Sequence, residues 1–230
     1  MKRIILIVSA ITLFTLYGHA QKGSNNLGIK FGPNLGWASA ATDAGKSNGA
    51  QLGFSVGGFV DHYFTNYTAL SVGLNFNLAR MNYQFTDYRL IENFLQYSDV
   101  SVNRKYKGSY LEVPVKLKAR VEIVDSWKAF VEAGAGVGIN LTARGKDSYD
   151  FYGTHFADTK YINCFDDYRL LQASLHFGLG AEYEFNSRMN VFAQLTFRHA
   201  LSNMFTQQLY QQTGSNLKSN YIGLEVGILL

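Results

Sequence analysis

Tyr221-Ile222-Gly223-Leu224-Glu225-Val226-Gly227-Ile228-Leu229-Leu230 closes the chain on a period of two. Ile222, Leu224, Val226, Ile228 and Leu230 share one face, and Gly223, Glu225 and Gly227 the other. Successive side chains of a strand point to opposite faces, so this run is a strand with one apolar and one polar side. Upstream, the same alternation recurs over residues 27–35, 50–63, 68–85, 109–121, 127–141, 168–185 and 190–201. That makes eight strands, most of them longer than the roughly 9–11 residues a tilted membrane strand needs.

The connections alternate in length. Tight turns are expected near Thr65-Asn66, Asp125-Ser126 and Asn186-Ser187, and long polar loops over 36–49, 86–107, 142–167 and 202–219. Short turns at one end and long loops at the other are the pattern of bacterial outer-membrane barrels, with turns periplasmic and loops extracellular. An even strand number then places both termini on the periplasmic side. The expected fold is an all-β, eight-stranded, antiparallel up-and-down transmembrane barrel.

The front of the chain agrees. Lys2 and Arg3 precede an apolar stretch, 4–18, and Gly18-His19-Ala20 offers small residues for signal peptidase, so cleavage is expected after Ala20. Residues 1–20 are therefore read as a signal peptide and 21–230 as one barrel domain. No Cys stands directly after the apolar stretch, which argues against a lipoprotein signal. Without Lys2 and Arg3 the basic count falls from 21 to 19 against 17 acidic residues, a net charge of +2. That near-neutral balance, with no dense basic stretch, excludes a nucleic-acid partner. The single cysteine, Cys164, excludes an intramolecular disulfide framework. A mean hydropathy of -0.07 reads as soluble. Lipid-facing and lumen-facing residues average out in a barrel, so that index is blind to it.

The polar faces converge on the barrel interior. They bring Lys30, Lys116, Lys118, Arg120, Lys128 and Arg198 together with Asp61, Glu112, Glu132, Glu182, Glu184 and Glu225. Glu122 and His176 join them. An eight-stranded barrel is just wide enough for side chains to fill. The expectation is a plug of paired charges that stiffens the barrel, with a proton or ion path as the rival. Inward glycines at 134, 136 and 138 leave room for neighbouring lumen side chains. Pro114 predicts a bulge or break in the fourth strand. Aromatics gather at strand ends: Tyr63, Phe64, Tyr67, Trp127, Tyr183 and Phe185 near the turns, and Trp37, Tyr83, Phe85, Tyr110, Tyr168, Phe205 and Tyr221 near the loops. Two headgroup-level girdles are expected from them.

Three segments carry a family resemblance. Leu27-Gly28-Ile29-Lys30-Phe31-Gly32-Pro33-Asn34 resembles the opening strand of the PorT-like, or porin-family, outer-membrane β-barrel domain of Bacteroidota. Tyr110-Leu111-Glu112-Val113-Pro114-Val115-Lys116-Leu117-Lys118 resembles that family's most recognisable strand. Phe130-Val131-Glu132-Ala133-Gly134-Ala135-Gly136-Val137-Gly138 resembles its following glycine-rich strand. The resemblance implies an OmpA/OmpX-like barrel and little about activity. Leu230 departs from the aromatic that more commonly ends such chains.

Function remains open between classes. A structural or interaction protein would present its loops to partners, with Tyr149, Phe151, Tyr152, Phe156 and Tyr161 as candidate contact residues in the longest loop. A narrow channel would need gaps between the charged layers. A lipid-modifying barrel enzyme would need a nucleophile–base pair; His199, Ser202 and His155 lie near the loop end, but at no spacing that suits one. No paired His or Cys stands at metal-ligand spacing, so no catalytic residue, metal or cofactor is assigned. A soluble lipocalin-like barrel would turn the apolar face inward. The expected partners are outer-membrane lipid, the assembly machinery that inserts the barrel, and an envelope or surface protein.

Overall fold

The computed structural model describes residues 24–40, 45–91 and 95–230. The expected signal segment, 1–20, lies outside them. The chain enters on β1 (Ser24–Ala40), β2 (Gly45–Tyr63), β3 (Thr68–Ile91), β4 (Gln96–Val124) and β5 (Trp127–Phe151). Two short strands, β6 (Thr154–Ala157) and β7 (Ile162–Asn163), fold back on β5. The chain then continues through β8 (Leu171–Asn186), β9 (Met189–Ala200), helix α1 (Gln207–Thr213) and β10 (Leu217–Leu229). Each long strand pairs antiparallel with its neighbour, β5 pairs β8, and β10 pairs β1. The ring of eight strands is closed and leaves no edge among its members.

Three of the expected tight turns stand where the sequence places them, at 64–67, 125–126 and 187–188. The long connections do not. In place of polar loops over 86–107 and 142–167, β3 runs on to Ile91, β4 starts at Gln96 and β5 runs on to Phe151, for 24, 29 and 25 residues, and β6 and β7 take up part of the rest. They form tall hairpins beyond the stretch a bilayer needs.

The reason is an inversion of polarity along each strand. On the lower part of β3, Val72, Leu74 and Leu78 face outward while Ser71, Asn75 and Asn77 are buried inside. Higher up, Arg80 faces out, and Ala79, Met81, Tyr83 and Phe85 are buried. β4 changes likewise, from outward Val113, Val115 and Leu117 over inward Glu112, Lys116 and Lys118 to outward Lys105 and Lys107 over inward Val100, Val102 and Tyr106. The lower barrel suits lipid outside and polar groups inside. The upper barrel suits water outside and an apolar core inside.

On β5 a register shift between Ser109↔Thr142 and Tyr110↔Asn140 inserts one extra residue, Leu141. This bulge switches the inward set from Phe130, Glu132 and Asn140 to Ala143, Gly145 and Asp147. Of the expected bulge or break at Pro114, the structure shows no bulge but an interruption of one ladder. β4 passes through the proline in register with β5 (Pro114↔Gly136), and the ladder to β3 omits only the residues between Val72↔Val115 and Asn75↔Glu112. The prolyl nitrogen has no hydrogen to donate, so the missing rungs cost no orphaned donor at that atom.

Candidate functional site

The interior of the lower barrel is a stack of ion pairs. Lys30 donates to Glu225 at 2.8 Å, and Gln194 and Ser55 donate to the same carboxylate at 2.6 and 3.2 Å. Lys116 pairs with Glu132. Lys118 donates to Asp61 at 2.8 Å and also to Glu182. Arg198, wholly buried, donates through Nε to Glu112 at 2.9 Å and through Nη1 to the Ser219 carbonyl at 3.0 Å. Ser174 donates to Glu112 at 2.6 Å, and His176 Nε2 lies 3.4 Å from the same oxygen. Buried charges persist when they are paired and hydrogen-bonded, and here each carboxylate meets at least one cation.

Small residues make this packing fit. A Cβ on Gly134 would lie 2.1 Å from the Val115 carbonyl and 2.6 Å from Lys116 Cα, and one on Gly136 would lie 2.9 Å from His176 Nε2. Gly138 has ordinary space, its nearest neighbour being 3.6 Å away. Gly178 makes the same allowance for Glu132, at 2.5 Å.

Three of the candidate lumen residues sit at the turn-end mouth instead. Lys128 pairs with Glu184 at 3.0 Å, and Glu184 is exposed. Arg120 lies over the Tyr63 ring, donates to the Asn66 carbonyl at 3.0 Å and approaches Glu182 at 3.7 Å. With Asn25, Asn26, Arg188 and Leu230 they line an open cavity of about 380 Å³. Glu122 is exposed. These positions carry the lumen parity but lie too low, where the strands leave the closed interior. Above the mouth, Phe130, Phe192 and Leu229 form a small buried apolar cluster, with Phe59 against it.

At the opposite end the lumen is filled by aromatic side chains. Met81, Tyr83, Phe85, Tyr106, Tyr110, Tyr168, Met204, Phe205, Leu217 and Tyr221 pack as one buried cluster. This overturns the expected loop-end girdle. Of its seven members only Trp37 lies toward the outside, against Phe197; the other six point inward. Their parity shows it: Tyr83 and Phe85 continue the Asn75 and Asn77 row, and Tyr221 continues the Glu225 row. At the turn end, Phe64, Tyr67, Trp127, Tyr183 and Phe185 do face outward, while Tyr63 is buried.

The segment between β9 and β10 dips into this cluster. Phe205 bridges to Tyr168 and is wholly buried. The Arg169 amide donates to the Met204 carbonyl at 2.9 Å, and the Asn203 side-chain oxygen accepts from the Phe205 and Leu217 amides at 3.2 and 3.1 Å. Tyr83 and Tyr168 share a hydroxyl hydrogen bond.

Above the aromatics lies an ion cluster that the loop reading of 86–107 and 142–167 misses. Arg104 grips Asp147 with two hydrogen bonds, at 2.6 and 2.8 Å, and Asp167 with a third at 2.9 Å. Arg89 joins Asp147 at 2.5 Å. Burial alone would raise the Asp147 carboxyl, but Arg104 and Arg89 outweigh it and hold it below the usual carboxylate range. Cys164 is buried beside them, and desolvation pushes its thiol up to about 11.

The candidate contact residues of the longest loop are partly absorbed by this core. Tyr149, Phe151 and Phe156 pack against the aromatic cluster, and Tyr149 stacks on Phe156 at 5.1 Å. The Tyr161 ring sits 4.0 Å from Lys107 Nζ. Tyr152 is 80% exposed. Ser202 accepts a hydrogen bond from the Ala173 amide at 3.1 Å, and His155 pairs with Asp150 on the surface. Among the described residues no group of three His, Cys, Asp or Glu side chains could hold a metal ion.

A closed, inside-out ring of eight strands with a polar interior defines a transmembrane β-barrel. The model of the outer membrane protein beta-barrel domain family matches residues 19–206, and the chain belongs to that family. No curated protein matches it. Among solved structures it is similar to neisserial surface protein A, at 11% identity over 90% of this chain and 98% of that one, with a TM-score of 0.45. It is also similar to the attachment invasion locus protein of Yersinia pestis, at 14% identity over 91% and 100%, TM-score 0.39. A third is OprG from Pseudomonas aeruginosa, at 11% identity over 90% and 96%, TM-score 0.38.

Proposed function

We propose that this protein is a sealed outer-membrane barrel whose work is done by its protruding hairpin end, as a structural or interaction element, and not by transport. The carrying observation is the occupancy of the lumen. Apolar cluster, ion-pair stack and aromatic core follow one another along the axis. The cavity of about 380 Å³ at the turn end is lined by mouth residues, among them Asn190, Leu229 and Leu230, and by none of the buried ion pairs above them. In this reading the turns and termini face the periplasm, the hairpins face the outside, and residues 1–20 are removed on export.

The contact surface moves from the longest loop to the tip of the β3–β4 hairpin. Tyr88, Leu90, Leu95 and Tyr97 are exposed there, and Tyr88 stacks on Tyr97 at 5.5 Å. Apolar side chains exposed to water at the ends of these two strands suit a protein partner. Purified protein in planar lipid bilayers tests the reading. Absence of discrete conductance steps is expected; steady single-channel steps that Phe205→Ala enlarges would replace it with a gated narrow channel.

A further inference from the structure

The cations of the upper barrel divide into two groups. Those facing inward, Arg89 and Arg104, are matched by Asp87, Asp147 and Asp167. Those facing outward are matched by no carboxylate. Arg80 stands opposite Lys107 on the β3–β4 ladder, and Lys107 stands opposite Arg144 on the β4–β5 ladder. One row higher, Lys105 stands opposite Lys146. Arg80, Lys105, Lys107 and Arg144 are exposed and Lys146 partly so, and none takes part in an ion pair among the described residues. Lys146 donates weakly to the Thr159 carbonyl at 3.4 Å, and Lys107 meets only the Tyr161 ring.

Like charges directly opposite one another across a ladder are destabilising. A row of three such cations on β3, β4 and β5, with a second row of two on β4 and β5 beside it, is relieved by an anion from outside the chain. Their position says which kind. Two rows below Arg80, Lys107 and Arg144 lie Phe76, Leu111 and Ile139 on the same strands, with Leu78 and Leu141 between. Those residues belong to the apolar face that meets lipid. Acyl chains lying on that face would bring a headgroup to the height of the cations. The Leu141 bulge enters here too: without it Arg144 and Lys146 would point inward.

We propose that the outer face of β3–β5 binds the phosphate groups of an acylated membrane lipid, with Arg80, Lys107 and Arg144 as the first row of ligands and Lys105 and Lys146 as the second. The binding does not depend on which leaflet the hairpins face; the assignment to the outer leaflet rests on the orientation proposed above. Phosphates approach such cations as point charges or bidentate partners.

The test uses the whole barrel in phosphatidylcholine nanodiscs, with or without bis-phosphorylated lipid A, extracted into mild detergent. Lipid A retained per folded barrel is counted by mass spectrometry. Wild type should retain it, and R80Q/K107Q/R144Q should retain it on the order of a hundredfold more weakly, as expected for three cations at a charged surface. Heat-modifiable migration confirms that the variant is folded, and Lys46→Gln with Lys218→Gln should retain lipid as wild type does. Dephosphorylated lipid A should be lost from all of them. Equal retention by the triple variant would overturn the proposal. So would full displacement by soluble tripolyphosphate, which would make the surface a general polyanion site.

Discussion

The lower and upper halves of the barrel interior obey the same alternation with opposite chemistry. Below, the buried face is charged and the exposed face apolar; above, the buried face is aromatic and the exposed face charged. Lipid and water as the outer solvents account for the difference, because burial follows what the surroundings refuse. Two kinds of cohesion result. The lower half is held by ion pairs whose members cannot be removed singly, and the upper half by apolar packing that tolerates local loss.

The largest expected effect breaks the lower half. Glu112→Leu strands Arg198 as a buried unpaired charge and should cost about 3–5 kcal/mol. Urea titration of the heat-modifiable form reads it, and a second change, Arg198→Leu, should recover part of the loss. Recovery is the sharper sign, since it separates a stranded charge from a badly packed side chain.

Phe205→Ala tests the upper half. It should cost about 3 kcal/mol in lost packing, and the loss should stay local. Unheated migration should persist while Cys164, buried in the wild type with its thiol raised to about 11, becomes accessible to thiol reagents. Unchanged Cys164 labelling would show that the aromatic core does not depend on the inserted segment.

Asp147→Asn comes next, at about 1–3 kcal/mol for hydrogen bonds to a charged group. Its folded pKa lies below the ordinary value of 3.8, so its stabilisation is complete above that value and is lost as pH falls through the folded pKa. Proteolysis of the hairpin end should therefore accelerate in acid below about pH 4 in wild type, and the variant should lack that step. The smallest effect belongs to the mouth. Lys128→Ala removes a partly exposed pair with Glu184 and should change stability by no more than about 1 kcal/mol.

Much of this was legible in the alternation. Lys30, Asp61, Glu112, Lys116, Lys118, Glu132, Glu182, Arg198 and Glu225 carry lumen parity in the sequence and are buried in the structure. Three things were harder to read. Polar outward residues such as Lys105 and Lys107 look like loop when the buried residues that alternate with them, Arg104 and Tyr106, are read without parity. The aromatics Tyr83, Phe85, Tyr110 and Tyr221 look like a girdle when they are grouped by strand end and not by face. The Leu141 bulge shifts the parity of β5 by one residue, and no residue type announces it. Arg104 and Asp147, the best-connected ions of the upper half, fall within those misread segments.

The inversion of polarity is the central claim, and β3 offers its most direct test. Single spin labels at outward positions 72, 74, 78, 80, 82 and 84, in a Cys164→Ala background in lipid bilayers, report access to oxygen against a water-soluble nickel complex. The structure predicts lipid access at 72, 74 and 78, water access at 80, 82 and 84, and a single crossover between 78 and 80. Lipid access continuing through 84, or water access at 72 and 74, would contradict it.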